Sequence, residues 1–169
     1  MGAALSAVRR VGDGLMTRGL TVAVAESCTG GMLGSRLTSV AGSSRWFRGG
    51  VIAYANDVKS GMLGVRSSTL ERHGAVSGQT AVEMATGVRE ALGAGIGVGV
   101  TGVAGPGGGG RRKPVGLVWI GISSGSGVLA RRFVFDGRRA AVRAQAVSVA
   151  LVLLENRIRR EKKHGKEAG

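Results

Sequence analysis

Short apolar runs alternate with segments of helical period along this chain, and that alternation limits its possible folds more than any other feature. LTVAVA (20–25), GVIAYA (50–55), GIGVGVTGV (95–103), VGLVWIGIS (115–123) and VLARRFVF (128–135) read as strands. AALSAVRRVGDGLMTRG, MLGSRLTSV, GQTAVEMATGVREALG and a long stretch from Arg138 to about Arg160 read as helices. The third helix is the clearest. Met84, Val88 and Leu92 recur at i+4 spacing, Ser77 caps its start and Gly93 ends it. Such alternation predicts an α/β domain, a single layered unit whose central sheet is covered by helices on both faces.

The 169 residues suit one domain, with 1–160 forming the folded unit and 161–169 a basic, mobile tail. Hydrophobic residues make up 43% of the chain, enough for a core, whereas aromatics supply only 4%. With 32 glycines, the core must be built of small aliphatic side chains between tight turns. One cysteine cannot close an internal disulfide. The longest strongly apolar run, AVSVALVLL, is too short for a bilayer. A soluble cytoplasmic protein with no membrane attachment is expected.

The net charge of +14 suggests a polyanion partner, but its distribution argues otherwise. Residues 129–169 hold eleven Lys or Arg against four Asp or Glu, half of the excess. A solvated basic end binds nucleic acid only nonspecifically.

Several motifs fail on context. GVGVTG, Gly97 to Gly102, fits G-x-G-x-x-G, yet Pro106 and a glycine run follow where a helix should open. The loop GPGGGGRRKP lacks the G-K-[ST] ending that holds phosphate and magnesium. Ala25 and Glu26 precede Ser27, so no G-x-S-x-G elbow is present. His73 and His164 have no partners at ligand spacing, so no metal and no cofactor are expected.

AESCTGG, Ala25 to Gly31, follows an apolar strand and opens a helix. The first amides of a helix lack internal partners and stabilise an oxygen that gains charge in acyl transfer. Glycines 30 and 31 permit close backbone approach, which makes Thr29 and Gly30 candidate substrate-binding positions. If Ser27 is a nucleophile, its base must be something other than histidine. A lysine with a depressed pKa serves, whereas arginine keeps its protons. Lys59 is the best placed, since only Lys113 among the other lysines lies outside the tail. The alternative is that Ser27 caps a helix and Lys59 is solvated. Cys28 reads as a packed small residue.

The segments AESCTGGMLGSRLTSVAGSSRWFRGGVIAYANDVKSGMLGV, HGAVS and VTGVAGPGGGGRRKPVGLVWIGI resemble the CinA C-terminal domain family in order and spacing, over about residues 21–147. The resemblance implies a compact α/β layered domain and a metal-free serine–lysine amidase. Members that stand alone at this length are similar to nicotinamide mononucleotide deamidases, and a homodimer is the common state. By this resemblance Ser27 is the nucleophile, Lys59 the base and Tyr54 a hydroxyl beside the pair. Ser44 falls where a further active-site serine is expected, Thr101 and Gly102 form the substrate loop, and Arg139 meets the 5′-phosphate. Two departures add positive charge: Arg138 replaces a usual acid, and Arg111-Arg112 stand where acids are frequent. Other classes consistent with the sequence are a regulatory binding module and an amidase for another small amide.

Overall fold

The strand Ile96–Gly102 alternates large and absent side chains, and the two faces of the sheet explain the pattern. The computed structural model describes residues 2–162. Its elements are α1 (Gly2–Arg18), β1 (Val22–Glu26), α2 (Met32–Leu37), a 3-10 turn (Ser43–Arg45), β2 (Phe47–Ile52), α3 (Asn56–Leu63), α4 (Ser67–His73), α5 (Gly78–Ala91), β3 (Ile96–Gly102), β4 (Leu117–Ser124), β5 (Gly127–Val134) and α6 (Arg139–Arg160). The sheet order is β2-β1-β3-β4-β5. β2, β1 and β3 run parallel; β4 and β5 continue the sheet antiparallel.

Side chains alternate across a strand. Val22, Val24, Ile96, Val98, Val100, Ile120 and Ile122 face one side and pack with Leu33, Leu37, Val142 and Leu154 in the larger core. Ala23 and Ala25 face the other side with Met84 and Val88. On that second face Gly97, Gly99 and Gly121 replace side chains altogether. A Cβ on Gly97 would lie 1.9 Å from the Ala85 carbonyl oxygen, and one on Gly99 or Gly121 would lie 2.2 or 2.3 Å from that of Ala81. The glycines therefore let α5 rest backbone-to-backbone on the sheet. The same pattern that mimics a dinucleotide fingerprint is a helix-docking surface.

The layered architecture agrees with the sequence expectation, and Ser77 caps α5 by accepting the Thr80 amide at 3.2 Å. The run 56–73 holds two helices, α3 and α4, that the sequence pattern does not predict. Their N-termini lack side-chain caps; α3 docks on α5 through Leu63, packed with Val88 and Met84, and Val58 and Leu70 pack against the same cluster. At the far end, Glu161 accepts hydrogen bonds from the Ser124 and Ser126 hydroxyls and pairs with Arg157 at 3.8 Å. The rest of the expected tail, from residue 163, lies outside the described residues. No described helix is long and apolar enough to cross a membrane.

Candidate active site

β1 lies between its two parallel neighbours, and the chain leaves it for β2 on one side and returns for β3 on the other. That reversal opens a crevice beyond the carboxyl ends of the parallel strands. A cleft of about 220 Å³ occupies it, lined by Ser27, Tyr54, Lys59, Thr101, Gly102 and Arg139, with Cys28, Asn56, Ala75, Val76 and Ala104 between them. Ser27 follows β1 directly, its amide bonded to the Val100 carbonyl at 2.9 Å.

Lys59 comes from the first turns of α3 and is only 1% exposed. Its Nζ donates to the Tyr54 carbonyl at 3.1 Å, and no described carboxylate forms an ion pair with it. An ammonium without a counter-ion is costly to bury, so burial pushes its pKa below the ordinary lysine value. Burial thus makes the neutral amine easier to reach than in a solvated lysine, in the cleft that Ser27 also lines. Cys28 behaves oppositely: burial lifts its thiol to about 11, with the Glu26 charge a smaller contribution. The thiol stays protonated, consistent with a packed residue.

The turn that presents Ser27 departs from the sequence expectation. The first amides of α2 do not face the cleft. The Glu26 carboxylate, itself 1% exposed, accepts the amides of Gly31 (3.1 Å), Leu33 (3.0 Å) and Gly34 (2.8 Å). Glu26 is the cap of α2, delivered from the strand before it. An acid closing a fully buried strand just ahead of two glycines was the available signal for this role. The amides of Cys28 and Thr29, by contrast, donate to no other residue among those described. Thr29 and Gly30 lie behind the cleft and do not line it, because the turn folds them against α6. There Arg143 Nη2 donates to the Thr29 carbonyl at 2.7 Å.

Arg139 opens α6. Its Nη1 donates to the Gly105 carbonyl and its Nη2 to the Tyr54 hydroxyl, both at 2.9 Å. It therefore ties the glycine loop to the segment carrying Lys59. Arg138 occupies the N-cap and makes no side-chain cap bond, since a guanidinium offers no acceptor. Thr101 Oγ1 donates to the Ala75 carbonyl at 2.7 Å, which gives the HGAVS segment its place as a cleft wall.

Ser44 is not brought to the site. It lies in the turn before β2, whereas the cleft forms beyond that strand's other end. Six strand residues separate the two, a rise of roughly 20 Å. Arg112 lines a neighbouring cleft, so its charge does not face Ser27. Arg143, one turn beyond Arg139, is the functional neighbour that sequence reasoning undervalued; i+4 spacing on one helix face was its signal.

The family model of the CinA C-terminal domain matches residues 5–158. The chain belongs to this family. It is 50% identical over 153 residues to a putative competence-damage inducible protein of Desulforudis audaxviator, covering 90% of this chain and 37% of that protein. It thus spans about a third of the length of the first curated relatives it matches. With the nicotinamide-nucleotide amidohydrolase PncC of Escherichia coli K12 it shares 48% identity over 146 residues, 86% of this chain and 88% of that protein. The crystal structure of the competence/damage inducible protein CihA from Agrobacterium tumefaciens superposes with a TM-score of 0.90 at 41% identity, covering 95% and 98% of the two chains. The fold is thus shared with that structure along nearly the whole of both chains.

Proposed function

We propose that this CinA-family domain hydrolyses the carboxamide of nicotinamide mononucleotide to nicotinic acid mononucleotide and ammonia. The observation that carries the reading is a buried lysine without a counter-ion in the cleft that holds Ser27. Its nearly full-length similarity to the Escherichia coli amidohydrolase supports the substrate.

Ser27 Oγ attacks the carboxamide carbon while neutral Lys59 takes the hydroxyl proton. The carbonyl oxygen gains negative charge, and the amide of Cys28, a residue that lines the cleft, is available to it. The tetrahedral adduct collapses, the C–N bond breaks, and Lys59 returns its proton to the leaving ammonia. Water then attacks the ester with Lys59 again as base, releasing the acid and restoring the serine. Tyr54, held by Arg139, flanks the lysine. The 5′-phosphate meets the remaining N–H donors of Arg139 and the loop after Gly105. The family resemblance adds a cytoplasmic homodimer.

Ser27→Ala is expected to lower ammonia release from nicotinamide mononucleotide by about 10⁴-fold or more with the thermal midpoint nearly unchanged. Near-normal turnover in that variant would remove Ser27 from the reaction.

A further inference from the structure

A wider concave surface lies beside the catalytic cleft and takes no part in the proposed reaction. Two clefts, about 440 and 200 Å³, flank Trp119 and share Gly78 and Gln79. Trp119 of β4 stands opposite Arg132 of β5, so both side chains leave the same face of the sheet as neighbours. The start of α5 presses on the indole: a Cβ on Gly78 would lie 2.9 Å from the ring.

The two halves differ in charge. The larger offers Val82, Ala130 and the indole, and its Arg66 is neutralised by Glu83, which also accepts from Thr69. The smaller is lined by His73, Arg112, Lys113 and Arg132, with no acidic side chain on its wall. Lys113 Nζ is fixed at the rim by donating to the His73 carbonyl at 2.6 Å. Arg112 and Arg132 form no ion pair with any described carboxylate. Ser77 Oγ accepts the Thr80 amide, while the amides of Gly78 and Gln79 find no acceptor among the described residues. Uncompensated positive charge thus adjoins an aromatic face and an apolar recess. Guanidinium forks match phosphate oxygens, and an indole stacks on planar heterocycles.

We infer that this groove is a second ligand site, for a nucleoside monophosphate. Its ring lies against Trp119 in the apolar half, and its phosphate sits among Arg112, Lys113 and Arg132. The site is separate from the Ser27 cleft and shares only the Val76 wall with it.

AMP is a suitable probe because it carries no carboxamide to hydrolyse. Calorimetry gives its affinity, and tryptophan emission reports the place. The other tryptophan, Trp46, is 2% exposed in the core beneath the opposite face, so a ligand-dependent change comes from Trp119. The expected result is one saturable site with quenched emission, with adenosine and inorganic phosphate each at least about tenfold weaker. Arg112→Glu combined with Arg132→Glu, both exposed positions, should weaken AMP by about tenfold or more, and Arg132→Glu alone, on β5 and outside the loop that receives the substrate phosphate, should weaken AMP too and leave deamidation unchanged. Arg139→Ala should leave AMP binding intact. The inference is overturned if AMP does not bind, if adenosine or inorganic phosphate binds as tightly, or if the double variant binds AMP normally. Loss of AMP binding in Arg139→Ala would also overturn it, by placing the nucleotide in the Ser27 cleft.

Discussion

Residues 26–34, which carry Ser27, and residues 102–116, which face them across the cleft, are held in different ways. The first segment is pinned from within the fold. The buried Glu26 carboxylate gathers three amides, Arg143 grips the Thr29 carbonyl, and the Ser27 amide joins β3. The second has its backbone ties at its ends, where the Val103 amide donates to Leu117 and that of Gly116 donates back to Val103, and a side-chain tie between them, from Lys113 Nζ to the His73 carbonyl. Between those ties, Gly110 and Lys113 bond each other, and Arg139 holds Gly105. A nucleophile must be aimed within a fraction of an ångström, whereas the wall that receives the rest of the substrate can adapt.

The contrast breaks first at Lys59, whose chemistry requires a removable proton on the fixed side. Lys59→Arg and Lys59→Met should both lose activity by about 10³-fold, since arginine keeps its charge. Wild-type kcat/KM should rise with pH through a limb lying below the ordinary lysine value of 10.5, because burial lowers the Lys59 pKa. Stability carries the same sign. The unfolded chain binds this proton more tightly, so the burial penalty is full below the lowered folded pKa and vanishes above about 10.5. Lys59→Met should therefore raise the thermal midpoint at neutral pH, with the gain shrinking as pH rises towards that value. A gain independent of pH would mean that Lys59 binds its proton equally in the folded and unfolded states, so that burial does not lower its pKa.

A sharper division is expected between two arginines one turn apart on α6. Arg139→Ala should cost roughly 10- to 100-fold in kcat/KM on nicotinamide mononucleotide, the loss of one charge-assisted contact, and much less on nicotinamide riboside. Arg143→Met, which frees the Thr29 carbonyl, should lower kcat on both substrates by a similar factor of about tenfold. Parallel losses in the Arg139 variant would shift the phosphate contact to the loop itself.

The smallest effects test the adaptable wall. A Cβ at Gly110 meets nothing within 4 Å, so Gly110→Ala should change stability by less than about 0.5 kcal/mol. One residue earlier, a Cβ would lie 2.7 Å from the Val115 amide nitrogen, so Gly109→Ala should cost about 1–3 kcal/mol in urea unfolding.

Much of this fold is legible in the sequence where a local signal coincides with a tertiary role. α5 has both apolar spacing and a serine cap, and the strands carry runs of valine and isoleucine. α3 is opaque because Asn56, Asp57 and Gly61 read as turn residues, and only docking through Leu63 makes the helix worthwhile. Ser27 and Lys59 are recognisable by residue type and motif. Glu26 is not, because an acid in an apolar strand declares its partners only after the chain has folded back upon it. Ser44 misleads for the converse reason: closeness along the chain to Tyr54 conceals a whole strand's length between them.

The glycines beneath α5 act as a shim of zero thickness. Because backbone rests on backbone along Gly97, Gly99 and Gly121, even one methyl would lever the helix off the sheet and carry Val76 and Ala75 away from Thr101. The gap between those walls is consequently the least adjustable dimension of the cleft. Descendants of this chain that accept a bulkier amide would have to gain the room at the exposed loop, leaving the sheet side unaltered.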